Sequence, residues 1–248
     1  MASGRKCIAT SRSGKISWCD VDGTDNLKED VADVTNLDSL LSLADKSKDI
    51  GAMMFCASAS TKGGNAFEVD YQGVINAAQC CIQHNIPRLV IVSSGAVTKP
   101  NSSVYKLLNL VGKGIMEAKI QGEDGVRALY HDKSVMDKGL GYTIVRPGGL
   151  TSDPIPLGPS FLEVNQGDDK SGRLSRADVA GICVACLENE STFDSTFECY
   201  ESNTAKPVEN VGLSNILKQT DPTSYKSGRE HQGETYNELL GGLKSDFV

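Results

Sequence analysis

The stretch Arg88-Leu-Val-Ile-Val-Ser-Ser-Gly95 decides the fold. It is a short apolar run, rich in β-branched residues, that ends abruptly in Ser93, Ser94 and Gly95. A run of that length and evenness predicts a strand buried on both faces, as strands of parallel sheets are. Its polar residues stand at the carboxyl end, where open α/β sheets bind ligands. The strand is therefore read as the centre of the fold, and Ser93-Ser94 as the floor of a site.

Other stretches repeat the pattern. Arg5–Ser11 reads as a short strand ending in Ser11-Arg12-Ser13-Gly14-Lys15, and 30–35 as a short strand and turn. Thr35 with Asp38 three residues on is a capping-box pattern, followed by a helical stripe of Leu37, Leu40, Leu41 and Ala44. Gly51–Ala57 is another buried strand. Phe67, Tyr71, Val74, Ile75, Ala78 and Ile82 then recur at helical spacing. A helical region is expected over about 103–133, broken by Gly112, Gly114, Gly122 and Gly125. Tyr142–Arg146 is a strand stopped by Pro147-Gly148-Gly149, Ser175 caps a further helix, and 196–200 suggest a last strand. Strands alternating with helices predict a parallel sheet with helices on both faces. One domain is expected over 1–218, with 219–248 a loose polar tail carrying a short helix near Tyr236–Leu243.

Composition narrows the function. A formal charge of −7 disfavours nucleic acid or an anionic membrane as the main partner. No apolar run approaches the roughly 20 residues that span a bilayer, and the N-terminus shows no secretory signal. Of eight cysteines, Cys56, Cys80, Cys81, Cys183 and Cys186 sit inside apolar segments. Such cysteines act as small hydrophobes, so a reducing intracellular compartment is expected. Cys183 and Cys186 form a C-x-x-C within a helix, with no histidine close by, and read as core rather than metal or redox ligands. His84, His131 and His231 form no pattern and are expected at the surface.

Four stretches carry a family resemblance: Val69–Ala78, Arg88–Ser94, Tyr142–Leu150 and Leu174–Ala180. In that order and spacing the chain resembles the atypical short-chain dehydrogenase/reductases, in their NmrA-like, NAD(P)H-binding group of plant and algal plastid type. The resemblance covers roughly residues 5–200. It implies a Rossmann-type α/β fold, with a dinucleotide lying across the carboxyl ends of the strands, and a soluble protein of cytoplasm or plastid stroma. The partners it implies are the dinucleotide, a small organic substrate and, in some members, another protein.

Within that frame, Ser11-Arg12 ends the second strand of the dinucleotide unit. A ribose with free hydroxyls usually meets an acid there and a 2′-phosphate needs a cation. The sequence offers Arg12, with Lys15 near, so NADPH is expected over NADH. Asp33-Val34 resembles the pair beside the adenine, and Cys56-Ala57-Ser58 a strand end where the cofactor meets the backbone. Ser93 and Ser94 resemble the catalytic-serine region, with Ser94 to polarise a substrate. Lys119 resembles the active-site lysine that holds the nicotinamide ribose. Pro147-Gly148-Gly149-Leu150 would lie at the nicotinamide end. Ser175–Asp178 reads as a structural N-cap.

The chain departs from the family pattern at two places. Classical members place a tyrosine four residues before the lysine as proton donor, and many atypical members lack it; here that residue is Ile115, leaving Tyr105 or Ser94 to substitute in space. The first strand and its glycine-rich pyrophosphate turn, expected before residue 5, are also absent, so the Rossmann-type fold reads as N-terminally truncated. Three explanations stand: an incomplete sequence (the favoured one, with any transit peptide also missing), direct pairing of the second strand with 51–57, or loss of tight cofactor binding. Two functions are compatible with these features: an NADPH-dependent reductase or isomerase of a small organic substrate, or a non-catalytic dinucleotide sensor or docking subunit.

Overall fold

The computed structural model describes residues 4–15, 26–47, 49–59, 64–210 and 225–247. Five strands form its main sheet: β3 (Met53–Phe55), β4 (Arg88–Val92), β5 (Gly141–Pro147), β10 (Ser195–Glu201) and β7 (Leu162–Asn165), in that spatial order. The first four are mutually parallel, and β7 closes the far edge antiparallel to β10. The middle strand is thus β5, with β4 beside it.

Alternation along β4 and β5 explains the layers. Leu89 and Ile91, with Tyr142 and Ile144, join one core; Val90 and Val145 join another. Period-two side chains that are apolar on both faces require cover on both faces. The first face is covered by α1 (Leu37–Lys46), α2 (Gly73–Gln83) and α4 (Ile115–Tyr130), contributing Leu40, Ala44, Ala77, Ala78, Cys80, Cys81 and Val126. The second is covered by α6 (Arg176–Ala185) and α7 (Tyr236–Leu240), contributing Val179, Ile182, Cys183, Leu239 and Leu240. Cys183 and Cys186 are buried, as their helical position predicts, and no described group of side chains could hold a metal ion.

A π-helical turn, Phe67–Gln72, leads into α2. Gly122 lets α4 approach it closely: a Cβ added there would lie 2.6 Å from the Asp70 carbonyl oxygen. The expected break in the 103–133 region falls at Gly112–Gly114, separating α3 (Ser103–Val111) from α4; Gly122 and Gly125 stay helical. A single turn, α5 (Lys133–Met136), follows.

β1 (Cys7–Ser11) and β2 (Leu27–Val31) form a separate parallel pair. Among the described residues β1 pairs with β2 and β3 with β4, so direct pairing of the 5–11 strand with 51–57 does not occur. The pair is tied on through side chains: Asn76 Nδ2 donates to the Val34 carbonyl at 2.8 Å, and Ala32 enters the first core.

Several expectations need correction. The cap of α1 is Asn36, which accepts from the Asp38 N–H; Thr35 instead donates its hydroxyl to Asp33 at 2.8 Å. Residues 225–247 are not a loose tail. Leu239, Leu240 and Leu243 are buried in the second core, and Asp246 accepts from Tyr142 Oη and Thr196. The predicted boundary at 218 lies outside the described residues. The sequence reading also missed β6 (Gly149–Thr151), β7, β8 (Lys170–Ser171), β9 (Arg173–Ser175) and β11 (Lys206–Pro207). Ser175 does cap α6, accepting from the Asp178 N–H at 2.9 Å.

Candidate functional site

The carboxyl ends of β3, β4 and β5 bring three predicted segments together. Ser93 extends the β4–β5 pairing, donating its N–H to Val145 O at 2.8 Å, and Gly95 N–H reaches Pro147 O at 2.9 Å. Ser94 is half-buried, and its hydroxyl donates to Gly95 O at 3.1 Å. The Ser93 hydroxyl points inward and donates to Glu123 Oε1 at 2.6 Å.

Lys119 projects from α4 toward the end of β3. Its ammonium sits 2.8 Å from Asp70 Oδ1. The same carboxylate accepts from Ser58 Oγ at 2.7 Å and from the Ala59 N–H at 2.8 Å. Asp70 thus joins the lysine to the loop of Cys56, Ala57 and Ser58. Cys56 is exposed; Ala57 packs on the first core. Asp70 lies inside the Val69–Ala78 motif, but its burial has no signature in the sequence.

Gly148 and Gly149 meet the protein's own backbone. Gly148 N–H bonds Cys199 O at 3.0 Å and Gly149 N–H bonds Gly172 O at 2.8 Å. A Cβ at Gly148 would collide with the Gly172 carbonyl, whereas at Gly149 its nearest neighbour would be 3.7 Å away. Only Gly149 and the exposed Leu150 present open surface there.

At the other end, Arg12 and Lys15 are exposed in the turn after β1. Neither has a described carboxylate within ion-pair distance. Asp33 follows β2 and accepts from Thr35 N–H and Oγ1 at 3.0 and 2.8 Å. Those bonds, with the nearby Arg12 charge, hold its carboxyl below the usual range. Val34 packs against Gly73 at the start of α2.

Behind the serines lies a buried ionic chain absent from the sequence reading. Arg146, on β5, donates to Glu123 (2.6 and 3.2 Å) and to Glu198 Oε1 (3.3 Å). Glu198 Oε2 accepts from the Asp168 N–H at 2.8 Å. Burial pushes Glu123 up, but Arg146, Arg127 and Ser93 more than offset it and keep the carboxyl below its ordinary value. Burial and the Asp168 charge push Glu198 up, to about 8. Glu123 lies four residues from Lys119, one turn along the same helix face, which was legible. Nothing in the sequence joins Asp168 to Glu198.

The position four residues before Lys119 is Ile115, packed with Tyr105 against Ala96, Val97 and Met116. Burial and Glu117 raise the Tyr105 phenol, the opposite of an activated proton donor.

Residues 19–190 match the model of a family described as NAD(P)H-binding. The chain belongs to this family. Its architecture is of Rossmann type, in agreement with the atypical short-chain dehydrogenase/reductase resemblance. The NAD(P)H-binding chain is 33% identical over 160 residues to an uncharacterized chloroplastic protein of Arabidopsis thaliana, covering 61% of this chain and 53% of that one. It thus spans about half the length of that relative. It is 30% identical over 164 residues to an uncharacterized sugar epimerase of Bacillus subtilis, covering 65% of this chain and 68% of that one. Among solved structures, a putative NAD-dependent epimerase/dehydratase from Bacillus halodurans superposes with a TM-score of 0.58 at 20% identity, covering 85% and 88% of the two chains. A short-chain dehydrogenase/reductase from Veillonella parvula in complex with NADP gives 0.53 at 15% identity, covering 73% and 76%.

A nicotinamide dinucleotide is the cofactor of this family, and the described residues fit part of it. Arg12 and Lys15 are exposed cations of a kind that can meet a phosphate. Ser58, Ser94, Gly149 and Lys119 offer small or hydrogen-bonding groups around the carboxyl ends of the strands. No described segment supplies the cluster of glycine N–H groups that would hold the pyrophosphate. Among the described residues no helix is long and apolar enough to cross a membrane.

Proposed function

We propose that the protein binds NADPH and reduces a small organic substrate at the carboxyl ends of β3, β4 and β5. The observation that supports this reading is the Lys119–Asp70–Ser58 connection, which holds a cation beside the loop after β3, the region this reading gives to the nicotinamide ribose. Reduced nicotinamide, when bound, supplies a hydride. Ser94 contributes a hydroxyl able to turn from Gly95 O toward a substrate oxygen. Lys119 orients ribose hydroxyls while remaining anchored by Asp70. Arg12 and Lys15 read the 2′-phosphate, which supports NADPH over NADH. The chloroplastic relative supports the plastid stroma as the place of action.

A second reading is a dinucleotide sensor or docking subunit on the same fold. Ile115 in place of a tyrosine, and the raised phenol of Tyr105, favour it. Titration of the purified chain with NADPH and NADH by nicotinamide fluorescence tests the common core. Micromolar NADPH affinity, at least about tenfold weaker for NADH and levelled by Arg12→Ala, is expected from loss of a charge-assisted contact. Absence of binding by either nucleotide would sink the reductase and sensor readings for this chain and leave the docking subunit. Consumption of NADPH with carbonyl substrates then separates enzyme from sensor.

A further inference from the structure

The loop that follows Ser94 does not hold its own shape. Ala96 is fully buried and sits at φ +66°, left-handed backbone that a residue with a Cβ adopts only at a cost. Its conformation is imposed from 72 residues away. Asp168 Oδ1 accepts the Ala96 N–H at 2.6 Å. Asp168 Oδ2 accepts the Thr98 N–H at 2.8 Å and the Thr98 hydroxyl at 2.7 Å. Three donors on one buried carboxylate fix the loop's far end.

Asp168 is itself held at φ +57°, with its N–H on Glu198. Glu198 meets Arg146, Arg146 meets Glu123, and Glu123 accepts the Ser93 hydroxyl. Both ends of Ser93–Thr98 are therefore tied to one buried ionic chain crossing β5, β10 and α4. Ser94, between those ends, is bonded only to the adjacent residue's carbonyl among the described contacts.

We propose that Asp168 is a positioning residue: through Ala96 and Thr98 it sets where the Ser94 loop meets the nicotinamide half of the dinucleotide. This rests on the NADPH-binding reading above and deepens it. The carboxylate acts through backbone geometry and touches no ligand. An amide offers one acceptor oxygen where two are needed and turns an NH2 group toward a donor.

The test compares two ligands on wild type, Asp168→Asn and Thr98→Val. NADPH spans the whole site; adenosine 2′,5′-bisphosphate reaches only the Arg12 end. Asp168→Asn is expected to weaken NADPH about tenfold or more, as loss of hydrogen bonds to a charged group implies, and to leave the bisphosphate within about twofold. Thr98→Val, which removes one of the three donors, is expected to weaken NADPH about threefold. Far-UV circular dichroism checks that each variant is folded. Equal loss of both ligands, or NADPH affinity unchanged in folded Asp168→Asn or Thr98→Val, would overturn the assignment. Wild type that holds the bisphosphate but not NADPH overturns it too, with the adenosine end intact. Wild type that binds neither ligand refutes the NADPH reading itself.

Discussion

Lys119 Nζ lies 2.8 Å from Oδ1 of Asp70, a carboxylate whose side chain is shut away from solvent. The lysine is therefore a counter-ion before it is anything else. Removing it leaves a buried charge whose partners, among the described residues, are the Ser58 hydroxyl and the Ala59 N–H. Lys119→Ala is expected to cost about 3–5 kcal/mol in urea unfolding. The double variant Asp70→Asn/Lys119→Met, which removes both charges, should regain much of that. Only NADPH affinity in the double variant, not in Lys119→Ala alone, reports the lysine's part in binding. If Lys119→Ala unfolds like wild type, the ion pair is not structural.

Gly122 faces the Asp70 carbonyl with no room for a side chain. Gly122→Ala gains helix propensity of about 1 kcal/mol, yet must push α4 off the π-helical turn. Overpacking of this kind costs about 1–3 kcal/mol, so a net loss of stability is expected. Gly139, at φ +67° with nothing near, provides a control whose substitution strains only the backbone. A Gly122→Ala melting temperature at or above wild type would contradict the close approach.

Glu198 carries a pH signature. Its folded pKa, about 8, lies above the ordinary glutamate value of 4.5 because of burial and Asp168. A raised folded pKa means that its contribution to stability is complete below about pH 4.5 and is lost as pH climbs through 8. Glu198→Gln should flatten the decline in unfolding free energy between those limits. Parallel pH profiles for variant and wild type would show that the group titrates normally.

Glu230 has the opposite sign. The Ser227 N–H and the Lys170 ammonium hold its carboxyl down to about 2 against the effect of burial. Its contribution is present above about pH 4.5 and disappears as pH falls through 2. Lys170 also meets Glu163 at 2.5 Å, so this ion cluster fastens 225–231 to the main sheet. Amide protection relative to the intrinsic exchange rate should therefore fall in acid in residues 225–231 before it does in β4 and β5. Simultaneous loss of protection in both would refute a local seam.

The sheet was legible because its strands are apolar on both faces. Leu89, Val90 and Ile91 announce themselves whatever their partners, as do Tyr142, Ile144 and Val145. The Ser93-Ser94 and Lys119 neighbourhoods could likewise be placed at strand ends and on a helix. What escaped was made of tertiary contacts. Strand β7 reads Leu-Glu-Val-Asn, and its buried Glu163 is neutralised by Lys170 and satisfied by Tyr200 and Gln232. The final helix was expected near Tyr236–Leu243, but its docking was not: Leu239 and Leu240 join the second core beside α6. Thr35 matched the capping pattern and lost to Asn36, because the Asp33 turn took its hydroxyl first. The Glu123–Arg146–Glu198–Asp168 chain links four segments that no spacing rule relates.

The separation of β1 and β2 from the five-stranded sheet has a mechanical meaning. Arg12 and Asp33 ride on one piece of the molecule, and Ser94 and Lys119 on the other, with no described backbone ladder between the pieces. A ligand long enough to grip both would serve as their cross-brace. Its free energy of binding would then appear as added resistance to unfolding, about 2.7 kcal/mol at a hundredfold excess over Kd, with the largest gain in exchange protection in β1 and β2.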